Sequence, residues 1–147
     1  MILFLDFDGV LHPMNRATGV FSLLPHFEQV MRDYPGVDIV VSSTWREAYS
    51  IEELRSVFSE DFRSRLVDVT PIVASAGKPH VREIEILSWL RETGREYEAW
   101  LALDDSEWLF SPNCKKLILV DADIGFDKHT EKVLRSKLDG YRHTAKP

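Results

Sequence analysis

Cysteine is nearly absent from this chain. Cys114 is the only one in 147 residues, which excludes an intramolecular disulfide and fits a reducing compartment such as the cytosol. Long hydrophobic runs are missing too. None approaches the roughly 18 to 20 residues that a membrane helix needs, so no span is expected. The opening run "ILFL" is too short for a secretory signal and lacks a basic start and a cleavage site. Positive charge is also scarce: 18 Lys and Arg stand against 24 Asp and Glu, a formal net charge of −6. That excludes a general nucleic-acid coat and any stable nucleic-acid complex, while leaving room for a local basic pocket. The five histidines contain no close pair with metal-ligand spacing. No repeat, low-complexity tract or linker interrupts the chain, and its length suits one domain over residues 1–147.

What the chain does contain is a series of short apolar runs: "ILFLDF", "DIVVSS", "LVDVTPIV", "AWLALDD" and "KKLILVD". Most are continuous rather than alternating, as expected for parallel strands buried on both faces. Helical patterns lie between them. "PHFEQVMRDYPG" places Phe27, Val30 and Met31 at helical spacing before Pro35–Gly36. Ser50 and Glu53 form a capping box ahead of "IEELRSVF". "PHVREIEILSWLRETG" predicts a helix with Pro79 in its first turn, Val81, Ile84, Leu87 and Leu90 on one face, and Gly94 as its stop. A last helix is expected at "HTEKVLRSKLDG". The alternation predicts an α/β fold: a Rossmann-like three-layer sandwich around a mainly parallel five-stranded sheet. Pro71 is awkward for a central strand in "LVDVTPIV".

Open α/β sheets bind ligands beyond the carboxyl ends of their strands. Asp6 and Asp8 lie at one such end, Ser42 and Ser43 at a second, Asp104 and Asp105 at a third. In an extended strand, residues i and i+2 face the same side, so Asp6 and Asp8 can face one ligand while Phe7 packs away. Gly9 lets the chain turn sharply and brings backbone close to that ligand. Like charges this close repel, and a bound cation relieves them; hard carboxylate oxygens suit Mg²⁺. Each piece has a plain structural reading as well: Asp–Gly is a common turn, and Asp104–Asp105 before Ser106 and Glu107 can be a helix cap.

The combination and its order resemble the haloacid dehalogenase (HAD) superfamily, mostly Mg²⁺-dependent phosphatases. "FLDFDGVL" is similar to the first motif, "IVVSS" to the second, Lys78 in "GKPHVREIEILSWL" to the third and "LALDD" to the fourth. "SSTWRE" and "DIGFDKHTEKVL" resemble a small capless group linked to RNA-repair proteins. The resemblance implies Asp6 as nucleophile, Asp8 as general acid and then base, Ser42 or Ser43 on a phosphoryl oxygen, and Lys78 balancing charge. It further implies a Mg²⁺ site on Asp6, the backbone carbonyl of Asp8, Asp104 and Asp105. An acid at position 8 can protonate an alkoxide leaving group, which a dehalogenase does not need.

His12, Arg16, Trp45, Arg46, His80 and Arg82 flank these motifs. Arg46 can clamp a substrate phosphate or pair with a surface acid; Trp45 can stack on a base or anchor its loop. His12 reads as a surface turn histidine, Asp121 as a turn former near the rim, and Trp89 and Trp100 as core. Neither gap between motifs holds a separate cap domain, so the site should be open to large substrates. The reading is a cytoplasmic Mg²⁺-dependent phosphatase acting on a phosphorylated small molecule or a nucleic-acid end. The alternative is a non-catalytic phosphate- or nucleotide-binding partner in a larger assembly. A receiver-like signalling domain is disfavoured, because it would place its phosphorylated Asp and its Lys after later strands.

Overall fold

The computed structural model describes residues 1–74 and 77–144, with side chains up to Arg142. The five apolar runs form strands β1 (Ile2–Leu5), β2 (Asp38–Val41), β3 (Leu66–Val69), β4 (Trp100–Asp104) and β5 (Leu117–Leu119). They make one sheet in the order β3-β2-β1-β4-β5, and every neighbouring pair is parallel. β1 is central and fully buried, which explains its unbroken apolar sequence. β3 lies at an edge and ends before Pro71, so the missing N–H disturbs no central ladder.

Side chains alternate across β1 and divide the core in two. Leu3 and Leu5 pack with Phe27, Met31, Leu134 and Leu138 on one face. These come from α1 (Leu24–Arg32) and α4 (Lys128–Thr144), and Leu54 of α2 (Ile51–Ser56) joins the same cluster. On the other face Ile2 and Phe4 pack with Ile86, Trp89 and Trp100. Phe4 meets the two tryptophans edge-on, with ring centroids 5.6 and 5.7 Å away, the arrangement the ring quadrupoles favour. The sheet thus has helices on both sides, as expected for a three-layer sandwich. The capping box of Ser50 and Glu53 is present at the start of α2. Among the described residues no cap domain is evident: those between β1 and β2 form a loop and α1, and those described between β2 and Lys78 form short helices and β3. Among the described residues no helix is long and apolar enough to cross a membrane.

The helix α3 (Val81–Glu92) corrects one expectation. Pro79 lies outside it, because the N-cap is His80 in a left-handed conformation. Its buried residues are Arg82, Glu85, Ile86, Ser88, Trp89 and Leu90; of the expected face Leu90 is buried, Val81 and Ile84 are partly so, and Leu87 is 46% exposed. The apolar spacing misplaced part of the face because two charged residues, Arg82 and Glu85, occupy inward positions. Both are committed to the site end of the sheet.

Candidate active site

Strand register assembles the site. Leu5 pairs with Val41 on one side and Leu103 on the other, so the next residues, Ser42, Asp6 and Asp104, lie side by side at the carboxyl edge. Backbone bonds continue the alignment there: Ser42 N–H donates to Leu5 O at 3.0 Å, and Asp6 N–H to Leu103 O at 3.1 Å. Carboxylate oxygens of Asp6, Asp104 and Asp105 come within 4.8 Å of one another. Asp6 and Asp104 are buried and Asp105 is partly so.

This cluster is electrostatically unsatisfied. Burial, then the Asp104 charge, pushes the Asp6 carboxyl well above its ordinary range, with Arg82 pulling the other way. Burial likewise raises Asp104 against the opposing pull of Arg82 and the Ser106 N–H. Arg82 Nη1 donates to Asp104 Oδ2 at 2.8 Å and lies 3.4 Å from Asp6 Oδ1. One guanidinium cannot balance three carboxylates. Two buried polar atoms, Ser42 Oγ and Arg82 Nε, have no hydrogen-bond partner among the described residues. The hard oxygen set fits a divalent cation such as Mg²⁺, and the orphaned hydroxyl and N–H fit an anionic oxygen beside it.

The second carboxylate of the first motif has different surroundings. Asp8 Oδ1 accepts from His12 Nε2 at 2.7 Å and from Arg16 Nη2 at 3.1 Å; Oδ2 accepts from the Trp45 indole N–H at 2.9 Å. Partial burial pushes its pKa up, but the bonds from His12, Trp45 and Arg16 outweigh it, and the net shift is downward. His12 is not a surface histidine, as expected from sequence, but fully buried. Its ring packs edge-on against Phe21 at 5.4 Å.

Several sequence expectations find other roles. Arg46 is no phosphate clamp. Its side chain is 3% exposed, and every N–H of the guanidinium is engaged. Nε donates to Thr70 O at 3.0 Å. Nη1 donates to Ser42 O and Ser43 O, and Nη2 to Pro71 O and, at 2.6 Å, Glu85. Trp45 is likewise occupied: it stacks on Tyr49 at 5.2 Å and Arg16 lies over its ring. Ser43 Oγ accepts the Trp45 N–H and caps a short 3₁₀ turn, which leaves Ser42 as the free hydroxyl. Gly9 does not face open ligand space. Its φ is +76°, and a Cβ there would fall 2.2 Å from Asp105 Oδ2, so the glycine makes room for the fourth-motif carboxylate. Lys78 is exposed and makes no ion pair among the described residues. The cation touching the acids is Arg82, in the first turn of α3. The sequence placed Arg82 beside the motifs, but no spacing signal marked it for that task.

A family model described as "HAD domain in Swiss Army Knife RNA repair proteins" matches residues 2–130. The chain belongs to this family. No curated protein and no solved structure matches it. The match contains all four motif-bearing segments of this HAD domain, from Asp6 to Asp105, and extends through β5 to the start of α4.

Proposed function

We propose that this HAD domain is a Mg²⁺-dependent phosphatase that hydrolyses phosphate monoesters, with nucleic-acid or nucleotide phosphate ends as its substrates. The observation that carries the reading is the convergence of Asp6, Asp104 and Asp105 beside the unpartnered Ser42 hydroxyl. Asp6, Asp104, Asp105 and the backbone carbonyl of Asp8 would hold the ion, which supplies charge neutralisation between an anionic nucleophile and an anionic substrate. The family description favours an RNA-related substrate. The chain's net charge of −6 favours brief contact with a strand end over a stable nucleic-acid complex. The single cysteine agrees with a cytosolic setting.

In this reading an Asp6 oxygen attacks phosphorus, and the ester oxygen departs with a proton from Asp8. Asp8 then takes a proton from water, and that water cleaves the aspartyl-phosphate to restore Asp6 and release phosphate. Ser42 Oγ and Arg82 hold phosphoryl oxygens; Arg82 takes the charge-balancing role expected of Lys78. Asp8 rests as the carboxylate, its base form, while three donors surround it. Arg16 is the donor that can leave, since it is 49% exposed. Once a substrate draws Arg16 away and covers Asp8, burial, which already favours the protonated form, meets less opposition.

The deciding experiment is hydrolysis of an aryl phosphate with Mg²⁺ and with EDTA. Turnover is expected only with the metal, and Asp6→Asn should abolish it without unfolding the protein. Full activity in chelator would overturn the reading. Phosphate binding without turnover by the wild type would instead support a non-catalytic partner.

A further inference from the structure

We propose that the groove beside Asp105 is a nucleobase subsite, with Trp108 as its stacking platform. This deepens the phosphatase reading above and rests on it for the position of the phosphate. Trp108 is 69% exposed, and Leu119 and Ile124 are each half exposed next to it. Together with Asp105 and Asp121 they line a groove of about 550 Å³. An exposed indole beside a catalytic cluster offers a flat, sequence-tolerant face for a base. Trp45, the aromatic that the sequence suggested for this task, is already committed to Asp8 and Tyr49.

Continuity with the reacting centre sets the occupant. Asp105 belongs both to the carboxylate cluster and to the groove wall. Trp108 follows it by three residues, so their Cα atoms are at most about 11 Å apart. A phosphate at the cluster and the base nearest to it can therefore rest on one continuous surface. Charge then narrows the choice. The groove has no lysine or arginine in its lining; Asp105, Glu107, Asp121 and Asp127 contribute carboxylates, and His129 is the one basic side chain beside them. Asp121 Oδ1 accepts the Asp123 N–H at 2.9 Å, and its other oxygen has no partner among the described residues. Such walls repel a chain of phosphates. They accept hydrogen bonds from the amino groups of adenine, cytosine or guanine. Uracil offers a single ring N3–H and no exocyclic amino group, so it can satisfy fewer of these acceptors. The groove is thus matched to one amino-bearing base, with the rest of the strand directed to solvent.

The test has a turnover arm and a binding arm. In the first, kcat/KM is measured with Mg²⁺ for 3′- and 5′-phosphorylated dinucleotides and for glycerol phosphate, which has no base. Trp108→Ala should lower the dinucleotide-to-glycerol-phosphate ratio about ten-fold, Trp108→Phe should retain most of it, and Asp121→Asn should erase a preference for adenine over uracil. In the second, the Kd of a fluorescent phosphorylated dinucleotide is measured on the Asp6→Asn protein, with and without Trp108→Ala, and a weakening of about ten-fold is expected. An unchanged Kd together with an unchanged ratio would overturn the subsite while leaving the phosphatase reading intact. Trp108-dependent binding with no hydrolysis of any substrate by the wild type would keep the subsite and overturn the phosphatase reading.

Discussion

His12 Nε2 lies 2.7 Å from Asp8 Oδ1, while the Phe21 N–H donates to His12 Nδ1 at 3.1 Å. Because Nδ1 accepts, the ring proton is on Nε2 and the imidazole donates it to Asp8. This buried histidine, donating from Nε2, fixes one oxygen of the proposed acid and base. His12→Ala should therefore slow alkyl phosphates by about 10²-fold, within the usual range for general acid–base catalysis. A nitrophenyl phosphate, whose leaving group needs no proton, should lose less in its first step and show a burst before slow turnover. His12→Gln, which keeps an N–H donor, should recover part of the loss. Equal losses on both substrates, tracking a lower melting temperature, would reduce His12 to a packing role.

Arg82 and Lys78 predict opposite behaviour. Removing Arg82 leaves Asp6 and Asp104 buried without their cation, so Arg82→Met should cost roughly 3–5 kcal/mol in the absence of metal. Added Mg²⁺ should recover part of that stability, because a bound ion supplies the missing charge. Lys78→Met removes an exposed side chain and should change stability by no more than about 0.5 kcal/mol. Thermal melts of both variants with Mg²⁺ and with EDTA decide it; a large loss at Lys78 and none at Arg82 would reverse the assignment.

The fold was legible because its strands are continuous apolar runs and its helices carry local start and stop signals. The Ser50–Glu53 box and the stop at Gly94 are contained within a few residues. Asp6, Ser42 and Asp104 were legible for a related reason: each directly follows or ends a strand, and parallel register aligns such positions. The partners of Arg46 were not. Its guanidinium bridges the ends of β2 and β3 and a helix 39 residues away, and nothing in "SSTWRE" reveals a long-range acceptor. His12 looked like a turn residue, because the fold-back of the Phe21 backbone that buries it depends on tertiary packing. Trp108 carries no signal in the sequence at all: it follows the acidic pair in a segment without a motif, and only the structure places it at the edge of the groove.

The engagement of Arg46 makes a stability prediction that a surface phosphate clamp would not share. Arg46→Ala leaves the carbonyls of Ser42, Ser43, Thr70 and Pro71 without this donor and Glu85 buried beside Val73 without its cation. The expected loss is roughly 3–5 kcal/mol. Arg46→Lys should rescue little, since an ammonium cannot reproduce the planar fork. Chemical denaturation should show both variants destabilised, and the wild-type domain bound to substrate should show no change at this residue in cross-linking or footprinting. A fully stable Arg46→Ala protein with a raised KM would restore the clamp.

Acid stability offers a final check, at the opposite end of the sheet from the site. Glu98 accepts from Arg95 and from the Met1 ammonium, the latter at 3.1 Å, and Arg95 also donates to Asp38 at 2.9 Å. The network ties the turn before β4 to the starts of β1 and β2. The Arg95 hydrogen bond, ahead of the Met1 contact, holds the Glu98 carboxyl down at about 2, against an ordinary value of 4.5. A depressed folded-state value means that the carboxylate stabilises the fold above pH 4.5 and loses that contribution as pH falls toward 2. Taken at face value the shift corresponds to about 3 kcal/mol, but side chains with 16% and 24% of their surface exposed are partly screened. Glu98→Gln should accordingly cost about 1 kcal/mol at pH 7. The difference between wild type and variant should narrow steadily from pH 4.5 to pH 2 in urea melts. A gap that stays constant across that window would show that Glu98 contributes packing and hydrogen bonding but no charge.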